Sequence, residues 1–461
     1  MKNNSIWNRL PLPVLIGGWL LAVIVGVVLI FTQFVNKPEP AATLQAIAQN
    51  TPASVKPIVN PGNPTPTSDT AAPTQLTQPA QPTAHTPPAP ATTATLPPLQ
   101  DPMFGYGLQA DYITGDVVYT VKQAKRLRMD WVKQQMRWGV FSPAPGQFDW
   151  SGFDLVVNEA NQQGLKVMLS IVTAPKWSHP NLPVTADDPG AINAPPDDLN
   201  EYAKFVGEVV DRYKGKVQAI EIWNEQNIDA EWRSVPQAVS PEKYVEMLKL
   251  ASQVIKSKDP NIVVISGALS PTGFFAGGCT AQGCDDGPYL KRLFDLGFLQ
   301  YADCIGAHVN GYNVPPDKTN TEGYNDPTAT FRGPFTNPIP SWYFRSTLEL
   351  YRDTVQNQKP LCVTEFGWAS SQGFGYTPPS YEFANDNTLQ EQADYITQAF
   401  TLMKQWGYIK MAFLFNLDYA QKSPDGVKDR TAPWSIMDQN GATRPAFEAL
   451  RLYMKNLYPD K

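Results

Sequence analysis

From residue 105 to residue 453 the chain repeats one pattern: a short apolar, β-branched run, then a longer stretch with helical spacing of its apolar residues. The short runs fall at 105–112, 131–138, 166–173, 217–224, 262–267, 304–309, 361–366 and 411–416. Runs of this length and composition read as strands. The segment 149–163 shows the helical period well, with Phe153, Leu155, Val156, Val157 and Ala160 on one face and Gly164 closing it. Segments 202–213, 244–255, 348–355, 391–406 and 445–453 repeat it. Eight strands alternating with helices point to a parallel sheet covered by helices, an α/β fold. A doubly wound open sheet and a closed barrel both satisfy that alternation. No Gly-x-Gly-x-x-Gly follows the first strand, which weakens the dinucleotide-binding version. The count of eight, and polar residues at most C-terminal strand tips, favour a (β/α)8 TIM barrel with its site at that face.

Composition narrows the chemistry. The net charge of −6 comes without any run of Lys or Arg, so a nucleic-acid partner is not expected. Of 3 His, His85 lies in a low-complexity stretch, leaving His179 and His308. That excludes a His-rich metal site, and neither His sits near a Gly-x-Ser-x-Gly elbow. No metal and no cofactor are expected. The 12 Trp and 19 Tyr fit either large cores or flat platforms for the C–H faces of sugar rings.

The first hundred residues differ from the rest. Residues 12–35 are apolar and uncharged, enough for a transmembrane helix across the ~30 Å hydrocarbon core. Lys2 and Arg9 precede the run, which places 1–11 in the cytoplasm. The rival reading is a signal peptide cleaved near Ala46-Ile47-Ala48, with secretion as its consequence. Residues 36–100 are dense in Pro, Thr, Ala and Gln and read as a disordered linker. The catalytic domain at 101–461 is thus expected outside the cytoplasm, tethered to the membrane by one N-terminal helix. Cys279 and Cys284 bracket a short Gly-flanked loop and suit a local disulfide. Cys304 and Cys362 lie in apolar runs and read as buried free thiols.

Two strands end on a glutamate flanked by aromatics. The fourth reads Val-Gln-Ala-Ile-Glu-Ile-Trp-Asn-Glu to Glu225, and the seventh reads Leu-Cys-Val-Thr-Glu-Phe-Gly-Trp with Glu365. A carboxylate is costly as a core residue, and barrel geometry points a strand-tip side chain into the mouth. Glycosidic cleavage wants one protonated and one ionised carboxyl, which such a pair supplies. Asn224 offers an amide for a sugar hydroxyl. Glu221 has the same strand parity as Glu225 but lies about 13 Å deeper, and reads as an interior carboxylate with polar partners.

Trp223-Asn224-Glu225-Gln226-Asn227 resembles the Trp-Asn-Glu-Pro acid/base motif of clan A glycoside hydrolases, and Thr364-Glu365-Phe366-Gly367-Trp368 resembles their nucleophile motif. His308 and Tyr312 are similar to that clan's His and Tyr, and 141–150 resembles a loop of families five and thirty-nine. The resemblance implies a retaining β-glycosidase in which Glu225 is acid/base, Glu365 is nucleophile and Tyr312 hydrogen-bonds the nucleophile. Asn224, His308, Tyr312, Trp368, Lys133, Trp138, Trp177 and Asn416 are the expected substrate-binding residues. Three departures stand out: Gln226 for Pro, Lys133 for Arg, and Phe415-Asn416 where Trp is frequent. The long connection 313–341 is expected to cover part of the cleft. The expected partner is a β-glycan or β-glycoside met by a monomer, with xylan, glucan, mannan and small glycosides all open. The alternative is a non-catalytic carbohydrate-binding protein on a degenerate barrel.

Overall fold

The computed structural model describes residues 104–182, 193–234 and 239–460. The apolar run at 12–35, its flank at 1–11 and the linker at 36–100 lie outside the described residues. Among the described residues no helix is long and apolar enough to cross a membrane.

Eight strand–helix units follow one another. The first four are β1 (Gly105–Gln109) with α1 (Val117–Arg126), β2 (Trp131–Arg137) with α2 (Ser151–Gln162), β3 (Lys166–Val172) with α3 (Leu199–Tyr213), and β4 (Ala219–Ile222) with α4 (Pro241–Lys258). The last four are β5 (Val263–Ser266) with α5 (Asp286–Asp295), β6 (Ile305–Gly311) with α6 (Phe344–Thr354), β7 (Leu361–Trp368) with α7 (Leu389–Trp406), and β8 (Ile409–Leu414) with α8 (Pro445–Leu457). Helices α1 and α5 were not singled out by the periodicity above. Both are short, and each buries only part of one face, through Val117, Val121 and Ala124 in α1 and Tyr289, Leu290 and Leu293 in α5. Side-chain caps fix several starts. Ser240 accepts from Lys243 N before Pro241, and Thr388 with Glu391 forms a reciprocal capping box on α7.

All strands pair in parallel, in the order β5-β4-β3-β2-β1-β8-β7-β6. The remaining seam, between β5 and β6, is closed by isolated bridges at Ile265–Cys304 and Leu269–Ala307. Gly306 permits that closure, because a Cβ there would sit 2.1 Å from Ser266 O. The sheet is therefore a (β/α)8 barrel.

Its interior is graded. Trp131, Met168, Ala219, Ile265, Cys304, Cys362, Met411 and Phe413 form an apolar cluster at the strand starts. Above it the inward positions are polar: Lys133, Ser170, Glu221 and Thr364, all buried. Cys304 and Cys362 are not free thiols. They form a disulfide with Cα atoms 5.8 Å apart, since Cys304 immediately precedes β6 and Cys362 lies on the adjoining β7 within the same cluster. The apolar flanks that suggested isolated burial are the barrel lining that brings them together. Cys279–Cys284 is also a disulfide, as its spacing suggested.

Candidate active site

β4 ends at Ile222, and the next three residues turn sharply: Trp223 has φ 74° and Glu225 has φ 47°. Left-handed backbone at a non-glycine residue costs about 1–3 kcal/mol and gathers at functional sites. Surrounding bonds hold the turn. The Trp223 indole is buried between Tyr202 and Trp232, and its Nε1 donates to Glu231 O at 2.8 Å. Glu225 N donates to Ala268 O at 2.8 Å. Gln226, which stands where the resembled motif has Pro, donates from Nε2 to Gly267 O at 2.8 Å. Tyr244 on α4 braces the tip from outside by donating to Ile222 O.

On β7 a register shift does comparable work. Ala307 pairs with Val363 but His308 pairs with Glu365, so Thr364 is an extra residue in the ladder. Strict alternation would set Thr364 and Glu365 on opposite faces. With the bulge both reach inward: Thr364 Oγ1 donates to Glu221 Oε1 at 2.7 Å, while Glu365 Oε1 accepts from Lys133 Nζ at 3.0 Å.

The charged side chains form one network. Lys133, fully buried, also donates to Thr364 O at 3.1 Å and lies 3.6 Å from Glu221 Oε2. Glu221 accepts in addition from Ser170 Oγ at 2.7 Å and Ala268 N at 3.3 Å, so it is the polar-partnered interior carboxylate expected. It is not remote from the mouth, however, because the long Lys133 side chain joins it to Glu365. His308 Nδ1 lies 2.9 Å from Glu225 Oε1 and 3.8 Å from Glu365 Oε2. Those distances set an upper limit of 6.7 Å between the two oxygens.

Electrostatics separates the groups. Burial would raise the Glu365 carboxyl, but the His308 and Lys133 charges, with hydrogen bonds from Lys133 and Gln109, outweigh it and hold the pKa below the ordinary 4.5. Burial would depress the His308 imidazole, yet Glu365 and the hydrogen bond to Glu225 raise it above 6.5.

The remaining expected residues divide. Asn224 is buried at the β4 tip beside Glu225, with Gln135 Nε2 3.5 Å from its Oδ1. Trp177 is half-buried and donates from Nε1 to Ser142 O at 3.1 Å. Lys133 sits beneath the carboxylates as their counter-charge, not at a sugar-facing surface. Trp138 stacks on Phe205 at 4.9 Å between the sheet and α3 and is core. Trp368 is fully buried on the outer face of the barrel against Phe344 and Tyr395, with Nε1 donating to Val314 O. It stands three residues from Glu365, an odd step that turns a strand side chain to the opposite face. Tyr312 makes no hydrogen bond to Glu365; its ring is packed among Phe331, Trp342 and Phe383. Asn416 spends its amide internally, on Thr431 O, Tyr419 N and Ser435 Oγ, and is fully buried. Asp418, two residues further on, is paired with Lys422 at 2.9 Å and is structural.

Connection 313–341 packs over the β6–β8 side: Phe331 stacks on Tyr312, and Asp386 accepts from Thr330 N and Phe331 N. Residues absent from the sequence reading join the site. Gln109 at the β1 tip reaches both Glu365 and the Tyr419 hydroxyl. Glu231 is pushed up to about 7 by burial and then by Glu225, against the pull of Arg137 and Arg430. Gln109 was legible as a polar residue ending a strand; nothing local marks Glu231.

Residues 102–264 match the family model described as Glycosyl hydrolase family 10. That segment spans β1 to the start of β5 and carries Lys133, Glu221 and Glu225. Among solved structures the chain is similar to a family 39 glycoside hydrolase from Bacteroides cellulosilyticus WH2, at 18% identity and TM-score 0.54, over 77% of this chain and 64% of that one. It is similar also to a glucosidase from Croceicoccus marinus, at 15% identity and TM-score 0.53, covering 78% and 69%. A third is a GH5_18 protein from Streptomyces cattleya in complex with GlcNAc, at 12% identity and TM-score 0.53, covering 78% and 81%. These likenesses concern the barrel, and the chain spans about two thirds of the length of the first two. The family match covers the first half of the barrel, where Lys133, Glu221 and Glu225 lie, and the solved structures share the barrel fold that completes it.

Proposed function

We propose that the chain hydrolyses β-glycosidic bonds of a poly- or oligosaccharide with retention of anomeric configuration, by two successive displacements. The observation that carries this is the shared His308 nitrogen, which keeps a Glu225 oxygen and a Glu365 oxygen within 6.7 Å. Retaining enzymes hold their carboxyls ~5–5.5 Å apart and inverting enzymes ~6.5–9.5 Å, so a pair of oxygens held within that limit favours the retaining arrangement.

Roles follow from the surroundings. Glu365, held ionised by Lys133 and His308, attacks the anomeric carbon while Glu225 protonates the leaving oxygen. A glycosyl ester on Glu365 results. Glu225, now a base, takes a proton from water, which attacks the same carbon and releases the sugar with its configuration restored. Lys133 and Glu221 are positioning residues beneath Glu365. Asn224, at the β4 tip beside Glu225, is the group on which a sugar hydroxyl falls, while fully buried His308 positions the two carboxylates.

Replacing Glu365 by Gln abolishes turnover in a folded protein. Replacing Glu225 by Ala leaves slow hydrolysis of activated aryl glycosides that azide accelerates, giving a β-glycosyl azide. Wild-type turnover in both variants would sink the assignment. The site is completed within one chain, which supports action as a monomer. We infer export as well, with the barrel tethered outside the cytoplasm by residues 12–35; two disulfides suit an oxidising compartment. Membrane fractionation of the full chain, with a protease-accessible barrel, tests it against release after cleavage.

A further inference from the structure

The segment between β5 and α5 forms a hairpin closed by Cys279–Cys284. Thr280 N donates to Gly283 O at 2.7 Å and Asp285 N to Gly278 O at 2.7 Å. Its second arm runs antiparallel to the residues that follow Glu225. Ile228 bridges Gly283, Asp229 N donates to Gln282 O at 2.9 Å, and Cys284 N donates to Asn227 O at 2.8 Å. Asn227 fastens the junction, with Nδ2 donating to Ser270 O and Cys284 O and Oδ1 accepting from Ser270 N. The turn that carries Glu225 and the disulfide hairpin are therefore one braced unit.

Two adjacent aromatics sit on it. The Phe275 ring fills the space that glycine leaves at 283, where a Cβ would lie 2.6 Å from its Cζ and 2.9 Å from Asn227 O. Phe274 lies beyond it, ring centroids 4.9 Å apart, and is 51% exposed. Phe275 thus anchors the pair against the Glu225 turn, while Phe274 offers a ring to solvent that the core does not use. The hairpin's disulfide and backbone bonds hold that ring at little entropic cost.

We propose that Phe274 is a stacking platform for a pyranose ring on the leaving-group side of the cleft, so that the protein takes chains extending beyond the scissile bond. The side follows from the chemistry: the acid protonates the departing oxygen, so the unit that carries Glu225 borders the departing sugar. This rests on the reading of Glu225 as that acid.

The test compares Phe274→Ala, Phe274→Leu and Phe274→Trp on β-1,4-linked xylo-, gluco- and mannohexaose and on the β-fluorides of the same sugars. A fluoride departs as a single atom and cannot reach the platform. For the hexaose that is cleaved, the ratio of kcat/KM to that on the fluoride should fall roughly three- to tenfold in the Ala and Leu variants and return with Trp. An unchanged ratio in the Ala variant, or no recovery with Trp, overturns the proposal. Calorimetric titration of the Glu365→Gln variant with the three hexaoses separates this from the catalytic reading. If the wild type cleaves none of the hexaoses and none of the fluorides, the catalytic reading fails for these sugars. The platform then stands only if Phe274→Ala raises a measured Kd by a similar factor, and it falls if no hexaose binds or Kd is unchanged.

Discussion

Lys133→Met removes the cation at the centre of the buried network. Its Nζ is 3.0 Å from Glu365 Oε1 and 3.6 Å from Glu221 Oε2, with the lysine side chain fully buried. At an effective dielectric of ~20, a unit charge at 3.0 Å stabilises the carboxylate by about 5 kcal/mol, equivalent to a ceiling of roughly four pKa units. His308 remains on the other side of Glu365 and water relaxes into the gap, so an upward shift of about one to two units is expected. The wild-type acid limb of kcat/KM lies below 4.5, because Glu365 is held below that value and stays ionised as pH falls. Losing the cation raises the Glu365 pKa, which moves the acid limb to higher pH. Two carboxylates left in a dry site should also cost about 3–5 kcal/mol of stability. Adding Glu221→Gln should return much of that stability and only part of the acid limb, and Lys133→Arg should keep the wild-type limb. Stopped assays from pH 3 to 8, with urea denaturation of each variant, read both effects. A folded Lys133→Met protein with an unshifted acid limb would refute the reasoning.

Other expectations follow from single contacts. Trp368→Ala should lower stability by about 3–5 kcal/mol while leaving KM within twofold at a temperature where the variant is folded, because the indole packs outside the barrel. Replacing Cys304 and Cys362 by Ser releases a crosslink of sequence separation 58, worth about 4 kcal/mol in the chain-entropy account, and denaturant midpoints of the two proteins measure it. His308→Gln should separate from wild type by more at pH 6 than at pH 9. A folded-state pKa raised above 6.5 gives stability that is full below 6.5 and fades as pH rises through the raised value, so a constant gap would contradict the charge pairing.

The barrel was legible because each strand announces itself by composition and each long helix by its period. Helices α1 and α5 escaped because each is ten residues long and its buried face includes polar residues, Thr120 and Gln123 in α1 and Asp286 in α5, which thin the apolar pattern. Glu225 and Glu365 were legible as carboxylates at strand tips. Their surroundings were less so, for reasons that lie in the backbone. The extra residue at Thr364 breaks the alternation on β7, and the left-handed turn at Trp223 takes that indole into the helical shell. Trp368, by contrast, could have been placed from parity alone. Lys133 read as a weakened substrate contact because depth along β2 is not visible as a partner across the barrel. The Cys304–Cys362 pairing depends on which strands adjoin, which an apolar flank does not report.

The central claim is that Glu365 carries the sugar covalently. A 2-deoxy-2-fluoro β-glycoside with a good leaving group slows release of the glycosyl ester, so the intermediate accumulates. Mass spectrometry of the digested, labelled protein should find the added sugar on the peptide that contains Glu365. Label on another residue, or a folded and active protein that never acquires the label, would contradict it.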